Sequence, residues 1–185
     1  MTTEPNYESQ WWSLIYDQMM TQDLPELLDD TRRFYETNLA GVEGPILECA
    51  CGTGLIFLHL LAAGRELFGF DISKFMLDTL KDKAAGQGFP SLADRISIQA
   101  FETFRYERRF EAIIIPTNSF LMLATQAAQI QTLRNIYAHL APSGRLLLDL
   151  RMAGMRGLVE TPDVIEGQWY TWTHPQTGLP IRQRI

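Results

Sequence analysis

The chain has 185 residues, of which 46% are hydrophobic and 21% charged, with a formal net charge of −6. That size and composition suit a single globular domain with a substantial buried core and exclude a disordered chain. The negative charge lacks the clustered Lys and Arg that nucleic acid or an anionic membrane requires, and the local group Arg105, Arg108 and Arg109 reads as a solvated rim.

In chain order, the first predicted helix spans residues 9 to 20 and sets Trp11, Trp12, Ile15, Tyr16 and Met19 on one face. Asp23 is placed to cap a second helix with Pro25 in its first turn. That helix turns Leu27, Leu28, Thr31, Phe34, Tyr35 and Leu39 inward and stops at Gly41 and Gly44-Pro45. The pattern then alternates between strands and helices. Strands are predicted at Ile46 to Ala50, Glu66 to Phe70, Arg95 to Gln99, Ala112 to Pro116 and Arg145 to Leu150. Helices are predicted from Leu55 to Ala63, after the cap Ser73, and from Thr125 to Leu140. Strands that are continuous apolar runs between helices imply an α/β, doubly wound, mainly parallel Rossmann-like sheet with helices on both faces. The N-terminal helical cap occupies 1–40, the core 45–151, and a short helix with a terminal β-hairpin about Pro175 to Gly178 occupies 152–185, all in one domain.

Cys49 and Cys51 stand too close along one strand for an ordinary disulfide and have no His or Cys cluster beside them. They read as reduced thiols, with no metal site expected. The polar N-terminus has no signal pattern, and no apolar run approaches the ~18 residues of a membrane span. A cytoplasmic protein with no membrane partner is the expectation.

Functional interest centres on "ILECACGTGL", residues 46 to 55. A strand runs into a loop with Gly52 and Gly54, and a helix follows; such sheets bind ligands beyond the carboxyl ends of their strands. A dinucleotide fingerprint wants glycine at relative positions one, three and six. Counted from Ala50, the loop offers Ala50, Gly52 and Leu55, a poor fit. Asp71 follows Gly52 by 19 residues, at the end of the second strand, where a carboxylate can accept from ribose hydroxyls. It can equally cap the next helix together with Ser73, and the two roles are compatible.

"ILECACGTG", "GFDISKFML" and "FEAIIIPTNSFLML" together resemble the class I S-adenosylmethionine-dependent methyltransferases, over about residues 14 to 151. The nearest likeness is to small-molecule enzymes of the kind that includes amino-sugar N-methyltransferases. The resemblance implies that S-adenosylmethionine is the cofactor, S-adenosylhomocysteine the product, and a small molecule the acceptor at N or O. It implies that Glu48 helps place the methionyl amino group and that Gly52 and Gly54 admit the cofactor to the backbone. By the same likeness Asp71 holds the ribose, Ile72 and Met76 sandwich the adenine, and Tyr16, of a Tyr16-Asp17 pair, reaches over the methionine end. Thr117, Asn118 and Ser119 follow the fourth strand, where the family presents residues to the methyl group and the acceptor.

Two positions depart from the pattern. Ala50 stands where most members have glycine, which is harmless if its φ is negative. Phe101 stands where an Asp usually accepts from the adenine amino group, so Glu102 substitutes, or the main chain acts while Phe101 packs on the ring. An amine acceptor needs little beyond alignment, whereas a hydroxyl would need a base. Tyr16, Asn118 and His174 are the candidate catalytic residues. His59 reads as a packing residue, and His139 as a helix-end residue favoured by the dipole. Tyr7, Trp11, Trp12, Phe34 and Tyr35 either line a lid or pack the first helices onto the sheet. The chain is expected to stop short of the family's last two strands. That leaves a homodimer through the hairpin or the exposed fifth-strand edge, or a hairpin that itself supplies strands six and seven. The alternatives to an active enzyme are a truncated relative that binds cofactor or partner without turnover, and a nicotinamide-dinucleotide-binding domain.

Overall fold

Strand segments without polar alternation can be buried only between two layers of helix, and this chain builds that arrangement. The structure is a computed structural model that describes residues 10–89, 91–92, 94–150, 169–173 and 180–184. Five strands form one sheet: β1 (Ile46–Cys49), β2 (Leu67–Asp71), β3 (Ile96–Ile98), β4 (Phe110–Ile115) and β5 (Leu140–Leu148). Their order is β3-β2-β1-β4-β5 and every pairing is parallel. The winding reverses at β1, which lies between β2 and β4, so a crevice is expected at the carboxyl ends of those strands.

Successive residues along each strand feed opposite layers. Ile46, Ala112 and Ile114 join Leu28 and Tyr35 of α2 (Pro25–Asn38), Leu58 and Leu61 of α3 (Phe57–Ala62), and Leu77 and Leu80 of α4 (Lys74–Gly86). Leu47, Cys49, Ile113 and Ile115 join Phe68, Phe70, Phe104, Phe120 and Ile136 of α5 (Gln126–His139) on the other face. That second layer has few helical residues and is filled by aromatics instead. Phe104 stacks on Phe70 at 4.8 Å between centroids and approaches His139 at 4.7 Å.

Several local expectations changed. The first helix is α1 (Gln10–Gln18), and a π-helical turn, Met19–Asp23, follows it, with Leu24 N–H bonded to Met19 O at 3.2 Å. Leu24, not Asp23, occupies the N-cap position of α2. The buried stripe of α2 is Leu28, Thr31 and Tyr35, while Leu27 and Phe34 are exposed, because each lies about 100° around the helix from that stripe. β5 starts at Leu140 rather than after Pro142 and Gly144. Its register shifts between the pairs Phe110↔Leu140 and Ala112↔Arg145, so both residues sit in a bulge on the strand that ends the sheet among the described residues, where a proline is tolerated. Gly144 is needed there because a β-carbon would lie 2.8 Å from the Phe110 carbonyl oxygen.

The terminal hairpin forms, with β6 (Trp169–Thr173) antiparallel to β7 (Pro180–Arg184). It is a separate two-stranded sheet and does not add strands to the five-stranded one. The expected short helix after residue 151 and the turn with His174 lie outside the described residues. Cys49 and Cys51 are free and buried. Two arginines of the basic group have structural partners: Arg108 lies 4.2 Å over the Phe68 ring, and Arg109 donates to Leu140 O at 2.7 Å. Among the described residues no helix is long and apolar enough to cross a membrane.

Phe104 is fully buried at the centre of the aromatic layer. Phe104→Ala is expected to cost about 3–5 kcal/mol, measured by urea denaturation.

Candidate functional site

The loop after β1 is built on backbone amides. Cys51 N–H extends the sheet pairing to Phe70 O at 2.9 Å, and Gly54 N–H turns back to Cys51 O at 2.9 Å. Asp71, at the end of β2, accepts Gly52 N–H on Oδ2 at 2.9 Å and Ser73 N–H on Oδ1 at 2.8 Å. Ser73 caps α4 by accepting Met76 N–H. The capping role of Asp71 is therefore real, and a carboxylate offers more lone-pair sites than these amides fill, so acceptor capacity remains for another donor.

Ala50 adopts φ +56°. The negative φ under which an alanine would be harmless does not occur, because the chain must turn sharply out of β1 into the loop. A left-handed alanine costs about 1–2 kcal/mol, so Ala50 stores strain at this edge. The two glycines serve different needs. A β-carbon on Gly52 would meet nothing within 4 Å, whereas one on Gly54 would lie 2.8 Å from Leu80 Cγ. Gly52 keeps open space beside the loop, and Gly54 lets α4 pack against it.

Glu48 lies in β1 between Gly69 and Ile114, is 2% exposed, and its Oε2 is buried without a partner among the described residues. Burial pushes its carboxyl well above the ordinary range, and the neighbouring Asp71 charge adds to the shift. Burial also raises Asp71, partly offset by the amides of Ser73, Gly52 and Ile72.

The N-terminal helix closes this edge from above. Tyr16 donates to Thr117 Oγ1 at 3.5 Å, bridging α1 to the loop after β4. Burial pushes the Tyr16 phenol up to about 12, with the charges of Asp17, Glu48 and Asp71 contributing despite the Thr117 bond, so it stays protonated near neutrality. Asp17 accepts the Thr53 hydroxyl on Oδ1 and Lys83 Nζ on Oδ2, the latter at 2.5 Å. Thus one carboxylate ties α1 to the glycine loop and to α4. Neither Thr53 nor Lys83 is apparent from sequence, although Thr53 inside the loop and fully buried is a signal in retrospect.

On the β4 side, Thr117 and Asn118 have φ of +56° and +60°. Their amides donate to Asp149 Oδ1 at 2.9 Å and Oδ2 at 3.2 Å. Tyr35 donates from its hydroxyl toward Asp149 Oδ1 at 2.7 Å and Ile115 O at 3.0 Å. Asp149 went unnoticed in the sequence; a carboxylate just past the end of a parallel strand was the available signal.

The remaining expected positions are less uniform. Ile72 is 50% exposed, while Met76 is 6% exposed and already packed. Phe101 is half-buried, with its ring edge-on to Phe70 at 5.8 Å, and its carbonyl accepts from Asn135 Nδ2 at 3.4 Å. Glu102 is half-buried beside it. His59 pairs with Glu36 at 2.8 Å. His139 Nδ1 lies 2.8 Å from Asn135 O and its Nε2 accepts Tyr106 N–H at 3.2 Å, which suits the neutral ring rather than a dipole-bound cation. His174 lies outside the described residues. Among the described residues no group of three or more His, Cys, Asp or Glu could hold a metal ion. Two surface depressions, one lined by Gly41, Glu111 and Arg145, the other by Arg65, Phe89 and Arg95, are away from these carboxylates.

Two outcomes follow from this geometry. In the unfolded chain Glu48 ionises near its ordinary value of 4.5, whereas the fold holds its proton to higher pH. The folded state then binds more protons across that window, so stability falls as pH rises through it. Glu48→Gln is expected to raise the neutral-pH melting temperature of the ligand-free protein and to flatten that decline, with a residual slope from Asp71. Thermal unfolding between about pH 5 and 8 checks both, and an unchanged slope would refute the assignment. For the glycines, denaturant unfolding should show about 2–4 kcal/mol lost in Gly54→Ala and only about 1 in Gly52→Ala.

The family described as "Methyltransferase domain" matches residues 46–144. The chain is 30% identical over 141 residues to "Putative methyltransferase YqeM" of Bacillus subtilis (strain 168), covering 76% of this chain and 54% of that protein. It is 28% identical over 104 residues to the cypemycin N-terminal methyltransferase of Streptomyces sp, covering 56% of this chain and 40% of that one. This chain thus spans about half the length of the curated relatives it matches. The crystal structure of the glycopeptide N-methyltransferase MtfA complexed with S-adenosyl-L-methionine shares the fold, with a TM-score of 0.60 and 23% identity over 83% of this chain and 64% of that one. The five-stranded parallel sheet, its switch point at β1 and the matched segment lead to one conclusion: this chain belongs to the methyltransferase-domain family and has the class I methyltransferase fold.

Proposed function

We propose that this chain is the cofactor-binding part of an S-adenosylmethionine-dependent methyltransferase acting on a small-molecule or peptide acceptor. The observation that carries the proposal is the buried, unpartnered Oε2 of Glu48 beside Asp71 at the carboxyl edge of β1 and β2. Leaving such an oxygen unsatisfied is costly, and a ligand ammonium group would satisfy it. In this reading Glu48 holds the amino group of the cofactor, and the remaining lone pairs of Asp71 accept the ribose hydroxyls. Gly52 leaves room for the ligand against the backbone. Ile72 offers an exposed apolar surface to the adenine, with Met76 behind it, and the Phe101–Glu102 segment borders the other side. Ala50 shapes the turn that exposes these groups.

When bound, S-adenosylmethionine supplies a methyl group on a positively charged sulfur whose departure leaves a neutral thioether. The work left to the protein is alignment and exclusion of water. Tyr16 closes over the site as a hydrogen-bond donor, not as a base, because its phenol keeps its proton at neutral pH. Thr117 and Asn118 line the acceptor side, with His174 as the remaining candidate to receive a proton. The relatives' names include an N-terminal methyltransferase and a glycopeptide N-methyltransferase, which favours a nitrogen acceptor that needs no strong base. The reading extends to a cytoplasmic enzyme, supported by two free buried cysteines. It also extends to a homodimer through the edge of β5, which pairs on one side alone among the described residues.

Titration calorimetry tests the reading directly. S-adenosylhomocysteine should bind, NADH should not, and Asp71→Asn should weaken the nucleoside about tenfold or more through the lost acceptor. No binding of S-adenosylmethionine or S-adenosylhomocysteine would overturn the proposal. A methyl-release assay over amine and hydroxyl acceptors then separates an enzyme from a binding protein without turnover.

A further inference from the structure

Two adjacent residues with side chains both occupy the left-handed region after β4, and one of them, Thr117, is β-branched. Neither conformation is favoured locally, so something outside the loop must hold it. Consecutive amides in such a turn converge on a common point and form a small anion-binding concavity. Here that point is a side chain of the same chain. Asp149 Oδ1 takes Thr117 N–H and Oδ2 takes Asn118 N–H. The carboxylate is itself aimed by Tyr35, whose ring is fully buried and whose hydroxyl reaches both Asp149 Oδ1 and the Ile115 carbonyl at the end of β4. Burial, then the Asp149 charge, pushes the Tyr35 phenol far above its ordinary value, so Tyr35 keeps its proton and donates here. The result is a brace from α2, through the carboxyl end of β5, to the loop whose Thr117 hydroxyl accepts from Tyr16.

We propose that Asp149 is a positioning residue of the site, which with Tyr35 holds Thr117 and Asn118 in their left-handed conformation and so fixes the wall opposite Glu48 and Asp71. The proposal rests on the reading above only in identifying what that wall faces. An asparagine at 149 keeps one carbonyl oxygen but turns an N–H₂ toward one of the two amides, so one of them loses its acceptor.

The test uses the full ligand-free chain and residue-resolved amide exchange by NMR, followed by calorimetry with S-adenosylhomocysteine. In Asp149→Asn, the Thr117 and Asn118 amides should exchange at least about tenfold faster while the β1 and β4 core amides are unchanged. The affinity for S-adenosylhomocysteine should fall about fivefold or more, since the wall is no longer pre-formed. Tyr35→Phe should move both readouts the same way by about threefold, and it decides the question if the Asp149 variant does not fold. A merely structural role would accelerate exchange throughout the sheet instead. Unchanged exchange at Thr117 and Asn118 would overturn the proposal, as would a loosened loop with undiminished affinity. If the wild-type protein binds no S-adenosylhomocysteine, the functional reading falls, and the exchange data still decide whether Asp149 holds the loop.

Discussion

The Asp71 carboxylate accepts the amide of Gly52 on one oxygen and that of Ser73 on the other, and the carboxyl edge of the sheet is organised around that pair of bonds. The first bond fixes the turn out of β1; the second sets the start of α4. Because Ser73 then caps α4 through Met76 N–H, the orientation of the helix follows from the same residue. α4 in turn brings Leu80 against Gly54 and Lys83 to Asp17, so packing holds the loop from beneath, the ion pair ties α4 to α1, and Thr53 joins the loop to the same Asp17. A carboxylate in this position satisfies local backbone donors and still presents unused lone pairs outward. In the proposed reading, that combination would let one residue serve the fold and a ligand together.

This edge concentrates what is unfavourable in the molecule. Ala50, Thr117 and Asn118 are left-handed, and Glu48 is buried with an unmet oxygen close to a second carboxyl group. Each of these costs on the order of 1–3 kcal/mol. The opposing contribution comes from the two apolar layers, where the β1 and β4 side chains are almost wholly buried. Strain located at the ends of otherwise well-packed strands is the distribution expected where a site must be shaped in advance of its ligand. The central strands hold the positions, and the strained or unsatisfied residues lie at or just past their carboxyl ends.

Local sequence signals recovered the strands, the loop and Asp71, because a strand, a glycine turn and a carboxylate about twenty residues on are related through short-range geometry. The signals failed where the relation is tertiary. Asp17 meets Thr53 across 36 residues and Lys83 across 66, and Tyr35 meets Asp149 across 114. No periodicity reports such partners. The left-handed φ of Ala50 was missed because alanine gives no local cue to it. Likewise, Pro142 and Gly144 read as a stop signal, and the bulge they occupy is recognisable only once β4 lies beside β5. Met76 shows the converse: with Leu77, Leu80 and Ala84 its helical spacing already marks a core-facing stripe, and all four are buried.

The elements around the site differ in how they are held. β1 and β4 are clamped between two apolar layers, and α4 buries Met76, Leu77, Leu80 and Ala84. Among its described residues α1 buries Ser13 and Ile15, packs Tyr16 against the same core, and makes the polar contacts of Tyr16 and Asp17. The Asp17–Lys83 pair is partly solvated, so it contributes on the order of 1 kcal/mol and weakens with salt. A π-helical turn follows directly, and such turns interrupt the regular ladder through which a longer helix would resist bending. Among these elements local opening therefore costs least at α1, which carries Tyr16, and most at the strands that carry Glu48 and Asp71. In the proposed reading, that gradient would let the cofactor enter past the helical cap without disturbing the two carboxylates assigned to receive it.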